Sequence, residues 1–324
     1  VHFDIVIDTN TPMRDAGPPT LARWISPAAA RQFARIRQHV PPPEATVEAL
    51  RLHYDAINAA RFEIANHRYP TEISTIEIEG VEVHRVAPWS GGDETAILIC
   101  LHGGAFLWGA GAGAVLEAVP VAATIGMTVL AVEYRLAPEH RFPCAVDDVL
   151  AVLRHVRRAE PGRKIGIYGC SAGAILTAQV VARLIEAGEP LPDAIAMLHA
   201  TGLELGGDSV ALAAQLNGAP QATDVQCLHD LPYFEGTDAH DPLVFPGEHP
   251  DMLRSFPPSL LVSGTRDFAA SAVSVMHRRL LAAGRPAELV MFDGMWHAHH
   301  MDVDLPESEE VYRLLRDFFG RHLA

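Results

Sequence analysis

Lys164-Ile165-Gly166-Ile167-Tyr168-Gly169-Cys170-Ser171-Ala172-Gly173-Ala174 is the stretch on which the reading of this fold turns. It opens as a short apolar run, passes through glycine, cysteine, serine, alanine and glycine, and continues into 172–187, where apolar residues recur at helical spacing. Strand, tight turn and helix together form the context of a G-x-S-x-G nucleophile elbow. The serine of such an elbow sits on a strained turn, and glycine on either side leaves the backbone room to make it. The helix start behind the serine offers unpaired N–H groups to a developing anion.

Working outward, similar apolar runs occur at 96–101, 127–132, 194–199, 259–263 and 288–292. Continuous runs of this length suit strands buried on both faces of a mostly parallel sheet. Helical patterns at 144–158, 172–187, 270–283 and 308–323 lie between and after them, which places the chain in the α/β class. Before this core, 73–79 and 81–86 alternate apolar and polar residues around Gly80, predicting two strands joined by a tight turn. The first seventy residues read as helical, at 31–39 and 46–66, with Pro41-Pro42-Pro43 breaking the chain between them. The stretch 202–256 has weak periodicity and many Pro and Gly, and is too long for an ordinary connection. The expected organisation is a helical cap segment at 1–70, core at 71–201, a cap insertion at 202–256 that folds with the N-terminal helices as a lid, and core again at 257–324.

Composition narrows the function. The 324 residues are 49% hydrophobic and carry a net charge of −15, so the chain buries a real core and lacks the basic footprint of a nucleic-acid or anionic-membrane binder. No apolar run approaches the ~18 residues of a membrane-spanning helix. Residues 1–10 show no basic segment followed by an apolar one, and the four cysteines are scattered without a C-x-x-C pair. These features point to reduced thiols and a cytoplasmic location.

Two further signals accompany the elbow. His102-Gly103-Gly104-Ala105 follows the run 96–101, and paired glycines let a backbone turn its N–H groups toward an oxyanion. Gly103, Gly104 and Ala172 are the expected donors. Asp267 follows the run ending at Ser263, and His297 follows the run ending at Phe292. Both therefore fall at strand C-terminal ends, where open α/β sheets build their sites. A histidine must take the serine proton, and an acid must fix its tautomer. Asp241, Asp251 and Asp293 are competing acids, and His299 and His300 crowd His297, so the assignment stays open by two or three residues. The cluster 297–302 matches no metallo-hydrolase register, H-E-x-x-H is absent, and no metal or cofactor is expected. Gly109-Ala110-Gly111-Ala112-Gly113 does not meet G-x-G-x-x-G and reads as a helix start or lid contact.

His102-Gly103-Gly104-Ala105-Phe106, Tyr134-Arg135-Leu136-Ala137-Pro138-Glu139-His140 with Phe142-Pro143, the elbow, and Ser263-Gly264-Thr265-Arg266-Asp267 together resemble the hormone-sensitive-lipase-like esterases, the bacterial family IV carboxylesterases. The resemblance runs from Ile73 to the C-terminus; the residues before it match only as a helical cap region. It implies an α/β-hydrolase fold with an eight-stranded, mostly parallel sheet flanked by helices under a helical cap. It also implies cofactor-free hydrolysis of short to medium acyl esters, a triad of Ser171, Asp267 and His297, and an oxyanion hole of Gly103, Gly104 and Ala172. In that family the Tyr-Arg-Leu-Ala-Pro-Glu segment buttresses the oxyanion side, and members often dimerise through the last strand, here near 287–292. Two positions depart from the pattern. Cys170 stands where the family carries Asp, and reads as a small buried filler. Ala105 replaces the third glycine of His-Gly-Gly-Gly and still donates its N–H.

A small-molecule ester is the expected partner. A lactonase or amidase would use the same residues, and a non-catalytic binding homologue is the rival outside enzymes. Trp24, Phe33, Leu203, Leu205, Leu216, Tyr233 and Phe234 are candidates for the lining of the cap, and core packing of the cap helices explains them equally well.

Overall fold

The computed structural model describes residues 21–36, 46–218 and 227–324. The segment 1–10, the proline break at 41–43 and the end of the first expected helix lie outside them. Eight strands form one sheet: β1 (Thr71–Ile78), β2 (Val81–Pro88), β3 (Asp93–Leu101), β4 (Met127–Val132), β5 (Lys164–Cys170), β6 (Ala194–Leu198), β7 (Ser259–Gly264) and β8 (Ala287–Phe292). Their order is β1-β2-β4-β3-β5-β6-β7-β8, so the chain starts near one edge, doubles back, and winds outward to β8. The β1–β2 hairpin and the β2–β4 pair are antiparallel, and every other pairing is parallel. Each continuous apolar run is a strand, within three residues of its expected bounds, as the sheet is covered on both faces.

Side-chain alternation sorts the two faces. Along β3, Ile97, Ile99 and Leu101 join the core under α4 (Cys144–Ala159), α5 (Ala172–Ala187) and α8 (Ala270–Ala282). Ala96, Leu98 and Cys100 point the other way, into the core under α3 (Ala112–Ile125) and α9 (Pro306–His322). The glycine-rich stretch 109–113 leads into α3, as a helix start should. Two N-terminal helices, α1 (Pro27–Ile36) and α2 (Val47–Arg68), lie outside this frame; α2 packs on α3, and Phe33 of α1 joins the α3–α9 core. Thr46 caps α2, its Oγ1 accepting from the Ala49 N–H at 3.2 Å.

The described part of 202–256 contains α6 (Asp208–Leu216), short 3₁₀ turns and α7 (Pro250–Leu253). Ser209 ties α6 to α8 through two bonds with Ser271, at 3.0 and 2.9 Å. Tyr233 stacks on Phe106 with centroids 3.9 Å apart and is fully buried with Phe234. The described part of this stretch thus packs on α8, on the loop after β7 through Ser209 and Asn217, and on Phe106 of the oxyanion loop. Among the described residues no helix is long and apolar enough to cross a membrane.

Candidate active site

The elbow at the end of β5 is built from steric necessity. Ser171 has φ +54°, and its N–H donates to the Leu198 carbonyl of β6 at 2.8 Å. A Cβ on Gly169 would lie 2.3 Å from the Gly173 carbonyl oxygen, and one on Gly173 would lie 1.8 Å from that of Leu101. The serine is thus pushed out of the sheet edge while both neighbours stay within touching distance of backbone.

His297, beyond β8, places Nε2 2.9 Å from Ser171 Oγ. Its Nδ1–H donates to Asp267 Oδ1 at 2.8 Å. Asp267 follows β7, is fully buried and has all its acceptor capacity filled. Oδ1 also accepts from the Ala269 N–H at 2.9 Å, and Oδ2 accepts from Ser263 Oγ and from His199 Nδ1–H, both at 2.7 Å. Burial opposes ionisation of this carboxyl, but the two histidines outweigh it and hold it well below the usual carboxylate range. The competing acids have other partners: Asp293 binds Trp24 Nε1 and Thr265 Oγ1, Asp241 accepts from the Leu243 N–H, and Asp251 pairs with Arg254. His299 and His300 are buried behind the site, where loss of water drives both rings toward the neutral form.

The oxyanion loop departs from expectation at one residue. The Gly103 N–H donates to Glu117 Oε1 at 2.7 Å and is committed inside the protein. Glu117 of α3 is an acid in an otherwise apolar helix; burial pushes its carboxyl up to about 8, the Gly103 bond pulling the other way. The N–H groups of Gly104 and Ala105 have no hydrogen-bond partner among the described residues. Gly104 takes φ +127°, where a Cβ would lie 1.9 Å from the Trp108 carbonyl oxygen. Tyr134 braces the loop: its ring stacks on His102 at 4.2 Å and its hydroxyl donates to the His102 carbonyl at 2.6 Å. Arg135 anchors the next residue to Asp148 of α4.

A cavity of about 790 Å³ opens above Ser171 between α1, α2 and the loop after β8. Tyr54 of α2 stacks on Trp108 at 4.4 Å on one wall, and Phe268 stacks on His297 at 4.2 Å on another. Its roof is tied down by Asp302, which accepts from Arg61 Nε of α2 and Gln32 Nε2 of α1, each at 2.9 Å, and from Trp296 Nε1 at 3.2 Å. The candidate lining residues lie elsewhere: Trp24 is exposed, Phe33 packs on Trp296, Leu203 is buried, and Tyr233 and Phe234 sit in the core with Phe106; Leu205 and Leu216 are also off the cavity wall. An amphipathic helix announces that it has a wet face, but not which groups will line a cavity against it.

Among the described residues, two groups bring three possible metal-ligand atoms within 4.8 Å of one another: His199, Asp267 and His297, and the buried set Glu117, Cys170 and His300. The first is already spanned by hydrogen bonds. In the second, burial keeps the Cys170 thiol protonated and Glu117 favours its neutral form, whereas a cation needs deprotonated donors.

A family model described as alpha/beta hydrolase fold matches residues 98–301, which include the elbow, Asp267 and His297. The chain belongs to the α/β-hydrolase family. An acetyl-hydrolase of Streptomyces hygroscopicus is 30% identical over 206 residues, covering 63% of this chain and 68% of the relative. The crystal structure of esterase E25 superposes on this α/β-hydrolase with a TM-score of 0.80 at 28% identity, covering 95% of this chain and 98% of the other. An esterase from the bacterial hormone-sensitive lipase family gives 0.81 at 26% identity, over 92% and 99%. With these relatives the α/β-hydrolase is a carboxylesterase of the hormone-sensitive-lipase-like group, and its substrate is a small-molecule ester.

Proposed function

We propose that this carboxylesterase cleaves short to medium-chain esters through an acyl-enzyme carried on Ser171. The observation that supports the reading best is the unbroken relay of Ser171 Oγ, His297 and Asp267, with links of 2.9 and 2.8 Å. Ser171 Oγ attacks the ester carbonyl while His297 Nε2 takes its proton. Asp267 holds the ring by its Nδ1–H and stabilises the imidazolium. The N–H groups of Gly104, Ala105 and Ala172 bind the oxyanion, Ala105 taking the place expected of Gly103. His297 then protonates the leaving alcohol, and water repeats the sequence on the acyl-enzyme. A cavity of about 790 Å³ with aromatic walls favours modest acyl groups.

α1 and α2 act as the cap in this reading. The expected homodimer would form at β8, which ends the sheet and leaves Met291 38% exposed, and the expected location is the cytoplasm. Hydrolysis of p-nitrophenyl esters from acetate to palmitate tests the proposal, with Ser171→Ala as control. Turnover on the shorter esters should fall by about 10⁴-fold or more in a folded Ser171→Ala protein. Full activity in that variant would overturn the serine mechanism; a lactone or amide preference would show as silence toward the ester series in the wild-type protein.

A further inference from the structure

The Asp267 carboxylate is shared by two imidazoles. On one side stands His297; on the other His199, the first residue after β6, donates its Nδ1–H to Oδ2 at 2.7 Å. His199 is fully buried, and its φ of +60° is a conformation that a non-glycine residue rarely holds. Its backbone N–H is pinned to the Val262 carbonyl of β7 at 2.8 Å. Its ring lies flat on His300, with centroids 5.5 Å apart and planes 5° from parallel, and meets His299 edge-on at 5.0 Å. A ring clamped on a strained backbone, aimed at the one carboxylate that orients the base, is poor design for a mere space filler.

We propose that His199 is a positioning residue, a second imidazole whose Nδ1–H fixes the Asp267 carboxylate and limits the negative charge that Asp267 lends to His297. The inference rests on the serine-relay reading above. Burial favours the neutral ring of His199. The groups facing it are Asp267 and Ser263 from β7 and its loop, and His297, His299 and His300 from the loop after β8. Behind His300 stand Arg61 of α2, Glu117 of α3 and Cys170 of β5. Burial drives His299 and His300 toward the neutral form, and Glu117 ionises only near 8, on the alkaline side of the profile.

The sign of the effect follows. Without the His199 donor, Asp267 keeps more charge for His297, the imidazolium is stabilised further, and the acid limb of kcat/KM moves to higher pH. The carboxylate also loses one of its four hydrogen bonds and its alignment, so kcat falls.

His199→Phe, which keeps a flat aromatic ring and removes the donor, should raise the acid limb by about half a pH unit and lower kcat by about 10- to 100-fold. His199→Asn, whose Nδ2 stands near the place of the lost Nδ1 and which tolerates positive φ, should restore the wild-type limb and most of kcat. An unmoved limb in a folded His199→Phe protein would overturn the proposal even if kcat fell, because that is the mark of packing alone. Should His199→Phe not fold, nitrogen-15 NMR of the wild-type histidines decides: His199 must stay neutral with its proton on Nδ1 from about pH 5 to 9, and an Nε2–H tautomer or titration in that range would overturn it. Ser171→Ala remains the separate test of the relay. Loss of activity there with an unmoved His199→Phe limb would sink this inference alone.

Discussion

The floor and the roof of the cavity are held by opposite means. The floor, made of the elbow and the oxyanion loop, is fixed by backbone packed so closely that side chains are excluded at Gly169, Gly173 and Gly104. The roof, α1 and α2, is held by a few long polar side chains, with Asp302 collecting Gln32 and Arg61, and Arg51 reaching the Leu107 and Ala137 carbonyls and Glu139. Chemistry that needs sub-ångström alignment rests on elements that cannot move without clashing. Substrate accommodation rests on tethers that can lengthen one at a time.

The difference is breakable at each level. The largest effect belongs to the floor: Gly173→Ala should cost more than about 4 kcal/mol, or leave a protein without turnover, because the methyl meets the Leu101 carbonyl oxygen. Thermal melting with ester assays checks this, and an active, stable variant would break the contrast. The roof comes next. Asp302→Ala should cost about 2–3 kcal/mol, since it strands Arg61 at a partly buried position still reached by water. Urea unfolding measures that loss, while the elbow geometry should survive. The smallest effect sharpens the floor itself. Glu117 has a raised folded-state value of about 8, so the folded protein holds a proton that the unfolded chain releases above the ordinary carboxylate range. Its contribution to stability is fully present below the unfolded value and is lost as pH rises toward 8. Glu117→Gln keeps an acceptor for Gly103 and removes this slope, so the variant should gain in stability on wild type as pH rises from 5 to 8. Parallel pH-dependent stability curves for the two proteins would refute the buried neutral acid.

The same contrast decides what could be read in the sequence. Floor elements are local: β4 falls at 127–132 and α5 at 172–187, as expected, and the elbow carries its glycines beside its serine. Asp267 and His297 are legible because they end apolar runs. The Gly103 N–H, expected to face the oxyanion, is taken by Glu117, a residue from a helix that composition alone does not mark out. A carboxylate within Ala-Gly-Ala-Val-Leu-Glu-Ala-Val is the signal that could have found it. His199 closes an apolar run in the sequence, and a polar side chain at that end of a buried run is itself a site signal. The roof resisted because its tethers join residues from 56 to 270 positions apart, Arg51 to Leu107 and Gln32 to Asp302 being the two extremes. Periodicity carries no information about such pairs.

Asp302 lies on the same loop as His297, and Trp296, the residue before that histidine, is bonded to it. The anchor of the roof and the mount of the base are therefore one piece of chain. A substitution in α1 or α2 that reshapes the entrance also leans on the loop that carries His297. Under the proposed relay, substrate range and turnover are therefore linked traits, and a lineage changing its diet would move through variants that are slower before they are differently selective.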